Sequence, residues 1–347
     1  MTNNSPLYDV LIVGGGAAGL SAAQMLGRTR RSVAVIDGGQ PRNAPAHAVH
    51  GFLSRDGASP AELLRVGREE AERYGGAIVP GQVVSATGSL AAGFSVTLDD
   101  GRQLRGRRLL IATGLVDELP EIPGLRDRWG KDVLHCPFCH GWEVQDQAIG
   151  VLGNGPWSIH QSLLFRQWSS KITLFLNDRV TPTETELEQL AARGVRVIAG
   201  PVTGITVDRD AVTGVLVGGV AEGRSQHQGE QESAASDLGP ESAVPVQAVV
   251  VGARVHARLA AFEDLGLTAV EHPMGMGDYL ATDADGATDV PGIWAAGNVT
   301  NLSAQVMASA AAAAWTAVVI NNSLMADEME ADLRDYRERS SAALTGV

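Results

Sequence analysis

A chain of 347 residues is long enough for two domains. Its 27 basic and 40 acidic residues leave a formal charge of −13, which argues against nucleic acid or an anionic membrane as the main partner, since both reward clustered Lys and Arg. The apolar run at 10–13 is too short to span a bilayer, and residues 1–6 carry neither a basic region nor a secretory apolar core, so a cytoplasmic location is expected.

Residues 8–13 read as a buried strand. Gly14-Gly15-Gly16-Ala17-Ala18-Gly19 follows, then an Ala-rich helix over 20–27 and a second apolar strand over 32–36 that ends at Asp37. The glycines at 14, 16 and 19 let the backbone approach a pyrophosphate seated on the helix N-terminus. Asp37, 23 residues after Gly14, is placed to hold a pair of ribose hydroxyls. The strand before, the helix after and the acid at the next strand end make this glycine pattern specific rather than a mere tight turn. A charged helix is expected over 60–74. Short alternating strands follow over 83–110, with turns at Gly93 and Asp100-Gly101, and a buried strand over 109–112 runs into Thr113-Gly114. Pro120 and Pro123-Gly124 mark a boundary.

A second strand–turn–helix unit begins at 148–152, with Gly153-Asn154-Gly155-Pro156, a helix over 157–168 and a strand over 171–176. Its third glycine position is Ser158, and Pro156 and Trp157 crowd the place of a phosphate. The following strand ends in Leu176-Asn177-Asp178, which offers neither a basic pair for a 2′-phosphate nor a well-placed acid for a ribose. NAD(P) binding and a retained but idle fold are both open readings here, and the second is favoured. Residues 221–244 are rich in Ser, Gln, Glu and Gly and read as a mobile loop inserted between strands. Strands are expected over 246–251 and 293–296, the latter leading into Gly297-Asn298. An apolar helix over 303–321 and a separate charged helix over 327–339 close the chain. The division expected is a discontinuous domain of 1–120 and 252–347 around a second domain of 121–251, with a flexible insertion at 221–245.

The two cysteines, Cys136 and Cys139, sit three positions apart. In a reducing compartment a close pair is redox-active or metal-binding rather than structural. Zinc needs about four ligands. Only His135 and His140 lie near, in one short turn, so no metal is expected. A C-x-x-C turn can close a disulfide and lower the pKa of one thiol, and the thiolate is the attacking form in disulfide exchange. His140 beside the pair can move a proton near neutral pH. Two inert cysteines packed as small hydrophobes are the plainer alternative.

In this order, and over nearly the whole chain, these motifs resemble the low-molecular-weight thioredoxin reductase family of flavoproteins. The resemblance implies an α/β fold of two Rossmann-like dinucleotide-binding domains in three layers, with FAD as cofactor and a homodimer. It assigns Gly14, Gly16, Ala17, Ala18 and Gly19 to the FAD phosphates and Asp37 to the ribose. Gly38, Gln40, Arg42, Asn43, His50 and Val83 join the expected cofactor contacts, with Ala112-Thr113-Gly114 at the strand end before the crossover. Gly297-Asn298 and Gln305-Val306 match the C-terminal flavin motif, with Asn298 where the family usually has Asp. A helix N-terminus there can stabilise negative charge on a reduced flavin ring. Cys136 and Cys139 match the redox pair.

Two departures carry more weight. The family usually has Asp after the second cysteine, where this chain has His140, and His-Arg-Arg for NADPH where it has Leu176-Asn177-Asp178. Cys-Pro-Phe-Cys-His-Gly followed by Trp142-Glu143 is similar to the FAD-dependent dithiol oxidases, which close the disulfides of natural products such as gliotoxin, holomycin and romidepsin and pass the electrons to oxygen. That resemblance implies a small-molecule dithiol attacking at Cys136, electrons passing from Cys139 to FAD, and hydrogen peroxide as by-product. It leaves the substrate itself open. His140 is the expected proton-transfer residue. His47 and His50 lie in the segment that approaches the flavin, and His50 is the better candidate for a flavin contact or relay. The rivals are an NAD(P)H-dependent disulfide reductase acting on thioredoxin, and a flavoprotein that senses redox state or binds a dithiol without turnover.

Overall fold

The computed structural model describes residues 6–219 and 241–345. The chain opens with β1 (Leu7–Val13), α1 (Ala17–Arg28) and β2 (Val33–Asp37). Val10, Leu11 and Ile12 have no exposed surface, because β1 is paired in parallel on both edges and covered on both faces. α2 (Pro60–Arg73) starts where Ser59 accepts a hydrogen bond from the Glu62 amide and Pro60 fills the first helical position. Next come β3 (Ala77–Pro80), β4 (Val83–Ser89), β5 (Gly93–Leu98) and β6 (Gln103–Ile111), then β7 (Leu115–Glu118).

The middle of the chain holds β8 (Val133–Leu134), α3 (Pro137–His140), β9 (Ala148–Leu152), α4 (Trp157–Phe165), β10 (Lys171–Phe175), α5 (Glu184–Ala192) and β11 (Arg196–Ile198). It continues through β12 (Val202–Asp208), β13 (Ala211–Val217), β14 (Ser242–Pro245) and β15 (Ala248–Val251). The last part is β16 (Arg254–Ala257), β17 (Ala269–Glu271), β18 (Asp278–Leu280), β19 (Ile293–Ala295) and α6 (Val306–Thr345).

Two main sheets result. The first runs β3-β2-β1-β6-β5-β4, with β19 also on β6. One edge of β6 serves β5 near Gly106 and then β19 from Leu109 onward, so the chain's end returns to a sheet built at its start. The second is all parallel, β11-β10-β9-β15-β8. The antiparallel β12-β13-β14 sheet shares an apolar core with it. The fold is the thioredoxin reductase-like α/β arrangement expected from the sequence.

Two expectations need correction. Residues 242–245, assigned to the mobile insertion, form β14 on β13, with Val244 buried in that core. The polar neighbours hid one short strand, and residues 220–240 of the insertion lie outside the described residues. The two C-terminal helices are one 40-residue helix, α6. Residues 322–326 contain no Gly or Pro to stop it. Its charged half is pinned to the sheet: buried Arg108 donates to Ser323 at 3.1 Å and to Asp327 at 2.6 Å, while Glu328 accepts from Arg31 and Arg107. No helix among the described residues is long and apolar enough to cross a membrane.

The chain crosses between the sheets on β7 and returns on β16, and these two pair antiparallel. His256 on β16 clasps the crossing: Nδ1 lies 2.6 Å from Asp278 and Nε2 2.8 Å from Glu118. Neutral imidazole has one N–H, so two carboxylate partners suit the imidazolium. Hydrogen bonds donated to Glu118 and then to Asp278 accordingly hold the His256 pKa above its ordinary value. A pKa raised by folding gives stability that is complete below the unfolded value, about 6.5, and is lost as pH rises through the folded value. The thermal midpoint is therefore expected to fall as pH rises from about 6 through that value, and His256→Gln should flatten this part of the profile; an unchanged slope in the variant would place the effect elsewhere.

Candidate active site

The first glycine turn leaves an open cradle between crowded walls. Gly14 has φ +119°, and a Cβ there would overlap the Ala112 carbonyl at the end of β6. A Cβ on Gly19 would overlap the Gly14 carbonyl, and one on Gly15 the Asp37 carboxylate. Gly16 is different: nothing lies within 4 Å of the place its Cβ would take. Gly16 also caps α1 without a side-chain acceptor, so the first-turn amides at Ala17 and Ala18 have no intrahelical partner. The positive end of α1 therefore faces open space, where an anion is favoured.

The other expected cofactor residues have surroundings of several kinds. Asp37 accepts the Gly39 amide at 2.9 Å just beyond Gly38, and Arg68 reaches it at 3.4 Å. Thr113 Oγ1 is buried with no partner, although buried hydroxyls almost always have one. Gly114 turns with φ +69°. Val83 packs in the core of the first sheet. Gln40 and Arg42 line a cleft of about 410 Å³ with β7, Arg126, Trp129 and Arg258. Arg42 is committed to Asp117 through two hydrogen bonds, at 2.9 and 2.5 Å, a partner the sequence reading missed. Asn43 closes its own turn by accepting the Ala46 amide at 3.0 Å.

The C-terminal motif meets this cradle. Gly297 has φ +86°, and a Cβ there would stand 2.8 Å from that of Ala18 on α1. Asn298 donates its side-chain amide to the carbonyls of Asn301, at 3.1 Å, and Ala304, at 2.8 Å. A carboxylate cannot donate, so Asn at this position has its own structural reason. Those bonds shape the turn that delivers Gln305 and the first residue of α6, Val306.

The redox turn sits opposite. Cys136 caps α3 with Pro137 at its first position, and a disulfide joins Cys136 to Cys139, their Cα atoms 5.3 Å apart. Cys139 and His140 both send their amides to the Cys136 carbonyl at 3.2 Å. Phe138 packs edge-on to Trp168 at 5.9 Å yet stays 64% exposed. Gln305 Nε2 lies 4.0 Å from Cys139 Sγ, so the second cysteine is the one turned toward the C-terminal motif.

His140 is half-buried, and neither ring nitrogen has a hydrogen-bond partner. Burial lowers its pKa, opposed by the Glu143 carboxylate and aided by His50. The ring is thus held neutral at pH 7, with one nitrogen free to accept a proton. His50 arrives from the 47–58 loop with Nε2 at 3.2 Å from Glu143 and Nδ1 at 3.4 Å from Asp56. His47 is exposed, with no hydrogen bond or ion pair among the described residues. Sequence reasoning quoted Glu143 only as part of the redox motif, without a role, and did not single out Asp56. Among the described residues no group of three His, Cys, Asp or Glu is arranged to hold a metal ion.

The second glycine turn spends its polar groups internally. Buried Asn177 donates to the Gly153 carbonyl and accepts the Val202 amide, at 3.1 and 2.8 Å. Asn154 donates to Gly252, and Ser158 bonds Leu152 and the Asn154 amide. Trp157 stacks on His160 with ring centres 4.5 Å apart.

The family model of the pyridine nucleotide-disulphide oxidoreductases matches residues 8–317. The chain belongs to that family. "Thioredoxin reductase sirT" of Leptosphaeria maculans is 32% identical over 234 residues, 64% of this chain and 72% of its own length. "Thioredoxin reductase tcpT" of Claviceps purpurea is 35% identical over 183 residues, 50% of this chain and 57% of its own. Among solved structures, HlmI superposes with a TM-score of 0.84 at 39% identity, over 97% of this chain and all of that one. An oxidoreductase from Agrobacterium tumefaciens gives 0.80 at 35%, over 92% of this chain and 99% of that one. These neighbours agree with the thioredoxin reductase-like resemblance drawn from the sequence.

As a thioredoxin reductase-like member of the pyridine nucleotide-disulphide oxidoreductases, the enzyme uses FAD. The open face of Gly16, the uncapped α1 and the orphaned Thr113 hydroxyl fit that cofactor. Gly16→Val is expected to fold, since its side chain enters empty space, but to lower FAD affinity at least about tenfold, or about 1.4 kcal/mol. Flavin released from purified protein and the thermal midpoint of the apoprotein measure the two effects; full FAD retention would mean the phosphates lie elsewhere.

Proposed function

We propose that the protein is an FAD-dependent dithiol oxidase that closes a disulfide in a small-molecule dithiol. The observation that carries this reading is the neutral, unpartnered His140 beside a disulfide whose second cysteine faces Gln305. Oxidising a dithiol removes two protons from thiols with pKa values of about 8.5, and a neutral imidazole accepts a proton at pH 7. We take 1–120 with 252–347 as the FAD domain, 121–251 as the domain that carries the redox pair, and a cytoplasmic homodimer as the working form.

Each step is then an exchange of sulfur partners. His140 takes a proton from the first substrate thiol. That thiolate attacks Cys136, the Cys136–Cys139 bond breaks, and a mixed disulfide forms while Cys139 leaves as thiolate. The second substrate thiol gives up its proton and attacks the substrate sulfur of the mixed disulfide, which releases Cys136 and the oxidised product. When bound, FAD supplies the route for the two electrons from the enzyme dithiol to oxygen, which yields hydrogen peroxide. Gln305 holds Cys139 on the flavin side, and the α1 N-terminus holds the phosphates. The polar groups that Asn154, Asn177 and Ser158 spend internally support oxygen, rather than NADPH, as the other redox partner.

A second reading, an NAD(P)H-dependent disulfide reductase, is favoured by the names of the relatives. Oxygen uptake with a panel of small dithiols and anaerobic bleaching by NADPH separate the two. Uptake is expected with at least one dithiol and should stop in Cys139→Ser. Cys136→Ser should also lose turnover but keep a thiolate beside the flavin, visible as a long-wavelength absorbance band. Rapid bleaching by micromolar NADPH with no dithiol-driven uptake would install the reductase instead.

His140→Ala is expected to slow anaerobic flavin reduction by dithiothreitol at least about tenfold at pH 7, the low end for a positioned acid–base group. The deficit should shrink at alkaline pH, where the thiol ionises unaided. A wild-type rate and pH profile in the variant would make His140 a packing residue.

A further inference from the structure

We infer that Glu143 is a positioning residue for the redox turn: its carboxylate grips His50 on the flavin-side loop and so holds Cys139 and His140 in place beside the Gln305 motif. The inference rests on the proposed function only for the direction of electron flow.

Glu143 follows α3 directly and belongs to the redox turn, whereas His50 lies 93 positions earlier, in the loop after β2. Their 3.2 Å contact is the one ion pair among the described residues that joins residues 121–251 to the rest of the chain. The loop that presents His50 is itself firmly tied. The Val49 amide donates to Ala58 at 2.8 Å, the Gly57 amide to Val49 at 2.9 Å, and Asp56 accepts the Gly51 amide at 2.9 Å. Asp56 also faces Nδ1 of His50, which leaves Nε2 for Glu143. The charged and titratable groups facing His50 are therefore Asp56 on its own loop and Glu143 and His140 on the redox turn.

The contacts close a ring. Gly51, next to His50, packs near Gln305, where a Cβ would stand 3.6 Å from Oε1. Gln305 faces Cys139, and the redox turn leads from Cys139 through His140 back to Glu143. Such a ring fixes the turn on two sides, through Gln305 at one end and Glu143 at the other. Removing the Glu143 carboxylate takes away the ion pair and leaves the Gln305 contact at the other end. The same carboxylate favours the charged form of His140 after the ring has taken a proton. Glu143 is 41% exposed, so as an ordinary surface ion pair it contributes little to folding. Stability and chemistry should therefore respond differently to its removal.

The test uses the FAD-loaded enzyme, with dithiothreitol as reductant and flavin absorbance followed anaerobically in a stopped-flow instrument. Glu143→Ala is expected to slow flavin reduction about tenfold or more while FAD content and thermal midpoint stay near wild type. Glu143→Gln, which keeps an acceptor for His50, should recover most of the rate. His50→Ala should show a similar loss, and the double variant Glu143→Ala/His50→Ala no larger one, because both remove the same contact. Unchanged reduction in Glu143→Ala, losses that multiply in the double variant, or a Gln variant as slow as Ala would each overturn the assignment. Neither oxygen nor the natural dithiol enters these measurements. A missing oxygen uptake would therefore count against the oxidase reading and leave this one standing.

Discussion

A disulfide confined to a helical turn of four residues can react only along the directions that turn leaves open. Here Gly141 has the Trp168 ring on one side and the Pro137 carbonyl on the other, so no larger residue fits and the turn cannot swing freely on its own stem. Phe138 leans on the same tryptophan. Cys139 consequently faces Gln305, while Cys136 stands at the start of the helix. On the proposed reading this divides the labour between the sulfurs: one meets the substrate and the other meets the flavin. The sheets serve this arrangement. The long return from β16 through β19 to α6 brings Gln305 and Gly297 back to a cradle begun at Gly14.

Among the described residues the buried side-chain polar atoms without a partner are Thr113 Oγ1, both ring nitrogens of His140, Gln161 Oε1 and Trp294 Nε1. Nearly every buried polar group in a folded protein finds a partner, yet the Thr113 hydroxyl and both His140 nitrogens do not. Leaving such groups unpaired costs about 1–3 kcal/mol each, so they persist where a ligand or a proton completes them. His140 also shows what replaces the acid usual in the family. A carboxylate after the second cysteine would be ionised at neutral pH and already hydrated or paired. An imidazole made neutral by burial is an empty proton acceptor. Asn298 is the complementary case: it replaces an acid with a group that can donate two hydrogen bonds, and both are used to build the Gln305 turn.

The sequence was most legible where backbone geometry demands one residue type. The glycines at 14 and 19 and the Cys136–Cys139 spacing reflect local steric and covalent constraints: a Cβ on either glycine would meet backbone, and the two sulfurs are joined. Contacts between distant segments were not legible. Nothing in the local pattern links Arg42 to Asp117, or His50 to Glu143, because those pairs depend on how β7 and the redox turn pack against the first glycine domain's loops. α6 was broken in two for a related reason. Its surface changes from apolar to charged near Ala326, which resembles the end of one element, but the backbone has no cause to stop and Arg108 reaches out to hold the charged half. β14 was lost because a four-residue strand beside a Ser- and Gln-rich tract carries too little apolar periodicity to stand out.

The second glycine turn keeps the strand–turn–helix form while its polar side chains bond within the protein. A dinucleotide site needs free backbone amides at the helix start and a free side chain at the next strand end. In this chain the strand end supplies Asn177, whose side chain bridges the Gly153 carbonyl to the Val202 amide and thereby ties β10 to the neighbouring antiparallel sheet. Asn154 ties the turn to Gly252, where the chain leaves for β16. Ser158 accepts the Asn154 amide that a phosphate would otherwise meet. A ligand could claim these groups only by breaking bonds that hold the second sheet to the returning chain. The polar atoms of this turn thus help to hold the parallel sheet to its neighbours, and the same sheet leads through β8 into the redox turn.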